Sequence, residues 1–338
     1  MTRSQRRVLA RIVIVAVLVL VAYWGAARLW PKSKPPLPEP SAKVVRPAAP
    51  APEPGARSRP RPGDPPPGPT DRAKAMGLLR KGMDLLGRRE LVAARSSLAD
   101  ALACGTLPQQ QAADARKQLD KLAVETIFSP QAVPGDPCTS SYTFKPGDLL
   151  ARIERSMKLR VPAQLILRIN GISDARKIQA GQTLKLVRGP FHAVITKRSF
   201  TADVYLEEPK TRRMIFVRRF PVGVGKDKST PVGRWRVVLG GKMTGAPWTP
   251  PVSSGMPRRR IYPGQSGYAL GRKGYWIGLE GIEGTPYTKA DGYGMHDTND
   301  QSSVGKAVSL GCIRLADGDI DLLFAMLYEK WSTVTIVE

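Results

Sequence analysis

Polar and apolar positions change rhythm along the chain, and each change marks a segment. From residue 71 to about 128, apolar residues recur at the three- to four-residue spacing of a helix's buried stripe. Leu78, Leu79, Met83, Leu85 and Leu86 share one broad face, and Leu91, Ala94, Leu98, Ala101 and Leu102 form a second run. Ala112, Ala115, Leu119, Leu122 and Ala123 form a third, so the spacing predicts a three-helix module. Over 140–188 the pattern becomes strand, two short helices and strand. Tyr142 opens an extended run that ends in a Pro146-Gly147 turn, and Asp148 is placed to cap a helix over 149–157. A second helix over 162–169 stops at Asn170-Gly171, and 178–186 reads as a turn and closing strand. Beyond Gly189-Pro190 the runs are short and β-branched or aromatic: 193–197, 202–206, 214–221 and 235–239. Short strands between Gly, Pro and charged turns predict a mainly-β sandwich or barrel-like domain over 190–338.

The first seventy residues follow different rules. Arg3, Arg6, Arg7 and Arg11 precede a charge-free apolar stretch over 12–27, with Tyr23 and Trp24 near its far end. With 8–10 included and Arg11 snorkelling, the stretch just reaches the length of a transmembrane helix. The charge asymmetry puts the N-terminus in the cytoplasm and the remainder outside, so residues 1–30 read as a single-pass anchor on an extracytoplasmic or periplasmic protein. The alternative is a cleaved signal peptide, although Ala26-Ala27-Arg28 is a poor cleavage context. Residues 31–70 are a proline-rich spacer; 15 prolines fall within 31–69. Such a segment propagates neither helix nor sheet and extends by about 3.1 Å per residue.

Composition narrows the partners. The formal net charge is +25, which favours anionic surfaces. It is spread out, however, with 12 Lys/Arg against 3 Asp/Glu already in the first seventy residues. No zinc-finger, recognition-helix or aromatic-interleaved basic stripe accompanies it, so nucleic acid is not an expected partner. Three cysteines without a C-x-x-C pair, and only two histidines (His192 and His296), argue against zinc, and no motif asks for a cofactor. An odd cysteine count outside the cytoplasm suggests one Cys104–Cys138 bridge and one free thiol, Cys312.

That thiol sits where chemistry is plausible. A cysteine attacks as thiolate and needs a base or positive charge nearby. Gly311 lets the backbone approach a carbonyl and aim amide hydrogens at a developing oxyanion, while Arg314 favours the thiolate or meets a carboxylate. His296 lies sixteen residues earlier across a polar loop, as a base on an adjacent strand would. The Gly-, Pro- and aromatic-rich stretch 240–292, with Arg258-Arg259-Arg260 inside it, reads as a substrate-covering loop in which each aromatic is alternatively core.

Three resemblances follow from these residues. Gly82, Ala94, Leu98 and Ala101 fall at the spacing of a tetratricopeptide-type hairpin, which makes the 71–128 module a candidate for a protein partner; a generic helical module is the alternative. The "YTFKPGD", "LILRING" and "IQAGQTLKL" runs resemble a LysM domain, which implies binding to N-acetylglucosamine-containing glycan strands unless that affinity has been lost. "YGMHDTNDQSSVGKAVSLGCIRL" and "FPVGVGKDKSTPVGRW" resemble the YkuD-type L,D-transpeptidases. That resemblance implies Cys312 as nucleophile, His296 as base, the Asp297 carbonyl as orienter of the ring, and the backbone of Leu310 and Gly311 at the oxyanion. It also implies Ser309, Arg314 and Tyr293 on the substrate. The implied reaction acts on peptidoglycan stem peptides, with release of terminal D-alanine and a 3→3 cross-link. The alternatives are a hydrolase on the same fold and a non-catalytic wall-binding scaffold. Two positions depart from the family: Asp297 replaces the usual Gly after the histidine, and Leu310 a frequent histidine. The Asp297 carboxylate beside the imidazole is expected to raise its pKa.

Overall fold

The structure, a computed structural model, describes residues 69–250, 257 and 259–338. The expected anchor and nearly all of the spacer lie outside the described residues. Among the described residues, no helix is long and apolar enough to cross a membrane.

Helices α1 (Pro69–Gly87), α2 (Leu91–Ala103) and α3 (Gln109–Ala123) follow the three apolar runs. The hairpin between α1 and α2 is close because Gly82 has no side chain; a Cβ there would stand 2.7 Å from Leu98 Cδ2. Ala94, Leu98, Leu119 and Leu122 bury together with Phe216 of the large sheet, so the module's apolar faces are spent on its own neighbours. Salt bridges Arg218–Asp120 (2.9 Å) and Arg213–Asp100 (2.8 Å) flank that contact.

The central segment is βααβ: β1 (Thr139–Thr143), α4 (Leu150–Ser156), α5 (Ala163–Ile169) and β2 (Thr183–Val187), with β1 and β2 antiparallel. Asp148 does not cap α4, whose N-cap is Leu149 without a side-chain bond. Instead its Oδ2 accepts from the Lys145 amide and the Tyr142 hydroxyl, each at 2.8 Å, and so pins the Pro146-Gly147 turn. The carboxylate is better employed inside the turn than on a seven-residue helix.

The remaining strands are β3 (Phe191–Thr196), β4 (Thr201–Glu207), β5 (Met214–Pro221), β6 (Val224–Gly225), β7 (Gly233–Met243), β8 (Trp276–Ile282), β9 (Gly294–Asp297), β10 (Ala307–Ser309), β11 (Ile313–Leu315) and β12 (Thr333–Val337). Helix α6 (Asp317–Met326) separates the last two. Eight of them hydrogen-bond as one continuous sheet, in the order β11-β9-β8-β7-β12-β3-β4-β5, and β10 pairs separately with β6. The sequence expectation of a sandwich is thus refined to a single mixed sheet. β12 runs parallel to β3 and antiparallel to β7, which the local pattern does not encode. At one end of the sheet a buried row crosses it: Ile277, Met295 and Ile313 lie in register on β8, β9 and β11 and are all buried. Each such side chain contributes about 1.5–3 kcal/mol by leaving water.

The segment 240–292 is not one loop. Its first residues extend β7, and its later part supplies β8, an internal strand of the sheet. Several of its aromatics are structural: Tyr275 packs on Phe324 with centroids 4.9 Å apart, and Tyr287 stacks on Trp235 at 5.4 Å. Arg258 lies outside the described residues, while Arg259 and Arg260 are exposed.

The expected Cys104–Cys138 bridge is absent, and all three cysteines are free. Cys138 is buried beside Arg95 and Asp136, whereas Cys104 is half-buried at the C-terminus of α2. Ionic contacts hold this junction in place of a bridge. Arg95 forks onto Asp136 with bonds of 2.9 and 2.5 Å and reaches Thr126 Oγ1 at 2.8 Å. Lys185 of β2 donates to the carbonyls of Thr126, Ser129 and Gln131 at 2.7–3.0 Å. Burial lowers its pKa to about 8.

Candidate active site

In a strand pair the residues in register point to the same face. Trp276 of β8 is paired with His296 of β9, and His296 with Arg314 of β11. One row of the sheet therefore reads Trp276, His296, Arg314. The neighbouring row begins Gly278, Gly294, and Cys312 extends it, one residue before the Ile313–Met295 pair. Cys312 stands just before β11, with the Gly294 amide and Arg314 close to its thiol. The parallel β9–β11 pairing is what turns a sixteen-residue separation into adjacency.

The imidazole is fixed on both sides. Trp276 stacks on it with centroids 5.9 Å apart and planes inclined by 19°. Its Nδ1 lies 2.5 Å from the Asp297 carbonyl oxygen. A carbonyl only accepts, so Nδ1 carries the proton and Nε2 is the basic nitrogen. The expected effect of the Asp297 carboxylate on this ring is not found, because alternation sends that side chain to the opposite face. Burial dominates and lowers the His296 pKa to about 4; the Asp297 carbonyl opposes the shift and Arg314 adds to it.

The thiol is likewise neutral at rest. Burial pushes the Cys312 pKa up to about 11, against the pull of the Gly294 amide and Arg314. Its Sγ lies 3.6 Å from the Gly292 carbonyl, and the residue keeps partial solvent access. Neutral imidazole and neutral thiol mean that a proton moves when a carbonyl is attacked, rather than before.

The loop that presents the thiol is held from below. Thr230 Oγ1 donates to the Gly311 carbonyl at 2.9 Å and accepts from the Gly225 amide at 2.7 Å. Ser309 Oγ donates to the Cys312 carbonyl at 2.6 Å and receives the Gly311 amide at 3.2 Å. Ser309 is 1% exposed, so it supports the loop instead of meeting substrate, and in this state the Gly311 amide is turned inward rather than toward an oxyanion. Gly311 adopts φ +129°, and a Cβ there would stand 2.9 Å from the Ser229 carbonyl and 3.0 Å from the Tyr293 ring. Only glycine passes this point without strain. Tyr293 is thereby placed beside the thiol, whereas Leu310 projects outward, 40% exposed.

Thus Cys312, His296, Arg314 and Tyr293 come together, the Asp297 carbonyl meets the imidazole, and Ser309 takes a different place. Sequence reasoning missed Trp276 as the platform for the base and Thr230 as the support of the thiol loop. The apolar residues Ile277 and Leu279, two positions apart after Trp276, were the available sign of a strand there. Among the described residues, no group of three or more His, Cys, Asp or Glu could hold a metal ion.

The segment that holds this sheet matches a known family of domains. Residues 205–336 match the YkuD family model, the L,D-transpeptidase catalytic domain, and residues 142–187 match the LysM domain. The chain thus carries a catalytic domain of L,D-transpeptidase type preceded by a LysM domain. The protein called YkuD in Bacillus licheniformis is 27% identical over 186 residues, 53% of this chain and 88% of its own. Its namesake in Bacillus subtilis is 24% identical over 204 residues, 58% of this chain and 98% of its own. The protein called YbiS in Escherichia coli K12 is 29% identical over 124 residues, which span 34% of this chain and only 36% of that protein. Among solved structures, an L,D-transpeptidase from Mycobacterium smegmatis aligns with a TM-score of 0.31 at 16% identity. That alignment covers 47% of this chain and 64% of the other.

Proposed function

We propose that this protein exchanges amide bonds between peptidoglycan stem peptides through a Cys312 acyl-enzyme. The observation that carries the reading is the pairing of His296 with Arg314 on adjacent parallel strands, which brings Cys312, the residue just before β11, beside the base strand, with the imidazole held so that Nε2 is the free base. As the thiol sulfur attacks the carbonyl of the third stem residue, its proton passes to His296 Nε2. The tetrahedral intermediate then collapses, breaking the C–N bond. Terminal D-alanine leaves with that proton on its nitrogen, and a thioester remains. An amine from a neighbouring stem attacks the thioester, gives its proton to Nε2 and leaves a 3→3 cross-link. The imidazolium returns the proton to sulfur. Arg314 favours the anionic sulfur as leaving group.

The LysM segment supports an assignment to glycan strands, which would keep the donor peptides near the thiol. The apolar stretch over 12–27 and the proline-rich spacer support an anchored protein whose domains work outside the membrane. Fractionation of cells with antibody detection tests this: recovery in the soluble cytoplasm contradicts it.

Incubation of the purified protein with a disaccharide-tetrapeptide is expected to yield cross-linked dimers and free D-alanine, read by mass spectrometry. Tripeptide without dimer would mean that water is the acceptor. Dimers formed equally well by Cys312→Ala would sink the proposal.

A further inference from the structure

The side chain of Asp297 lies on the opposite face of β9 from the imidazole, against the turn that leads into β8. It is fully buried. Gly271 passes so close that a Cβ on it would stand 2.6 Å from Asp297 Cβ and Cγ and 2.7 Å from Oδ2. Burial raises the Asp297 pKa, and the amides of Tyr275, Gly271 and Lys273 oppose that rise. Neither oxygen has a partner that meets both hydrogen-bonding distance and angle. The carboxylate is therefore held by converging amide dipoles, much as a backbone nest holds an anion, and not by one strong bond.

The turn is tied on its other sides as well. Gly274 donates to the Gly271 carbonyl at 3.0 Å, and the Lys273 and Gly274 carbonyls accept from the Gly245 and Ala246 amides at 2.9 and 3.0 Å. Asn299 Nδ2 donates to the Tyr268 carbonyl at 2.7 Å, a second link between this segment and the chain that follows β9. Trp276, the platform for the imidazole, comes directly after Tyr275. It is the first residue of β8, and its pairing with His296 is the last rung of that ladder, so the preceding turn decides how firmly the rung is held. The Asp297 carbonyl, the other contact of the ring, belongs to the clamped residue itself. Glycine or alanine at 297 would leave the three amides turned inward with nothing to accept them.

We infer that the Asp297 side chain is a positioning residue for His296: it clamps the 271–275 turn onto β9, and so fixes together the carbonyl that orients the imidazole and the indole on which the imidazole stacks. What His296 does chemically rests on the proposed transfer reaction; the clamp does not.

Three substitutions test the clamp in the full chain, each checked for an intact fold by circular dichroism. Asp297→Ala removes it. Asp297→Asn keeps the volume but puts an N–H where an acceptor is needed, and Gly271→Ala drives a methyl into the carboxylate from the other side of the contact. Hydrogen exchange followed by NMR should accelerate at least about tenfold at the Gly271, Lys273 and Tyr275 amides in Asp297→Ala. The His296 ring protons, told from those of His192 by their loss in His296→Gln, should titrate at about 4 in the native protein. In all three variants the midpoint should move toward 6.5 as water reaches the ring. Turnover of disaccharide-tetrapeptide should fall about tenfold with KM within about twofold. Gly271→Ala/Asp297→Ala should be no worse than either single change, since both remove one contact. Folded variants whose His296 midpoint stays at about 4, or whose three amides exchange at the native rate, overturn the inference. If the native protein forms no dimers, the transfer reaction fails, and exchange and titration still decide the clamp.

Discussion

Arg95 and Asp136, at the junction of the helical and βααβ segments, are both out of water and meet in a two-pronged ion pair. In the large sheet His296 and Asp297 are also buried, yet neither faces an opposite charge within hydrogen-bonding reach. The first region holds elements together; the second holds groups away from their preferred protonation states. Burial of ionisable groups therefore has two uses here, and what decides between them is whether the partner is an ion or a neutral backbone group.

The largest expected effect separates these uses directly. Cys312→Ala is expected to abolish dimer formation from disaccharide-tetrapeptide while thermal unfolding changes little, because the thiol's bond to the Gly292 carbonyl, at 3.6 Å, is weak. Arg95→Ala should do the reverse. Leaving Asp136 buried and alone costs about 3–5 kcal/mol, measurable by urea denaturation, and Arg95→Met/Asp136→Leu should recover much of it.

A pH series sharpens the contrast. In the unfolded chain the imidazole takes a proton below about 6.5, whereas in the fold His296 stays neutral down to about 4. The unfolded state thus binds more protons in that window, and stability should fall as pH drops through it, being fully present above 6.5. Cys312 acts at the other limb: the unfolded thiol ionises near 9 and the folded one near about 11, so stability should fall as pH rises between them. Urea midpoints across pH check both limbs, and His296→Gln should flatten the acid one. Alkylation of Cys312 by iodoacetamide, mapped by mass spectrometry, should accelerate steadily from about pH 7 to about pH 10. A plateau near neutrality would indicate a preformed ion pair and erase the difference between the two regions. The smallest effect is Thr230→Val, which strands the Gly225 amide and should cost about 1–3 kcal/mol of stability, with slower turnover, in calorimetry and activity assays.

Much of this was legible beforehand. The three helices, the βααβ order and four of the strands could be read because their burial is local and periodic. Cys312 and His296 could be read because they sit in a long motif with few rival histidines. What stayed hidden depends on distant partners. β8 lay within a Gly- and Pro-rich stretch, and only its pairing with β7 and β9 makes it a strand. Asp297 seemed to sit beside the imidazole because it is adjacent in sequence, yet in a strand adjacent side chains face opposite ways. Thr230 gave no sign, since its role exists only once Gly225 and Gly311 have come within reach of it.

The position of β12 between β3 and β7 has a consequence for biosynthesis. During translation, strands from the region 191–243 leave the ribosome well before residues 333–337, the strand that must join them. Until then β3 and β7 each expose an unpaired edge and an unfinished apolar face. A nascent chain in that condition is a natural client for a chaperone. The sheet that positions the thiol can close only after the residues that make it reactive have all been synthesised, so no shorter nascent chain would hold a completed active site.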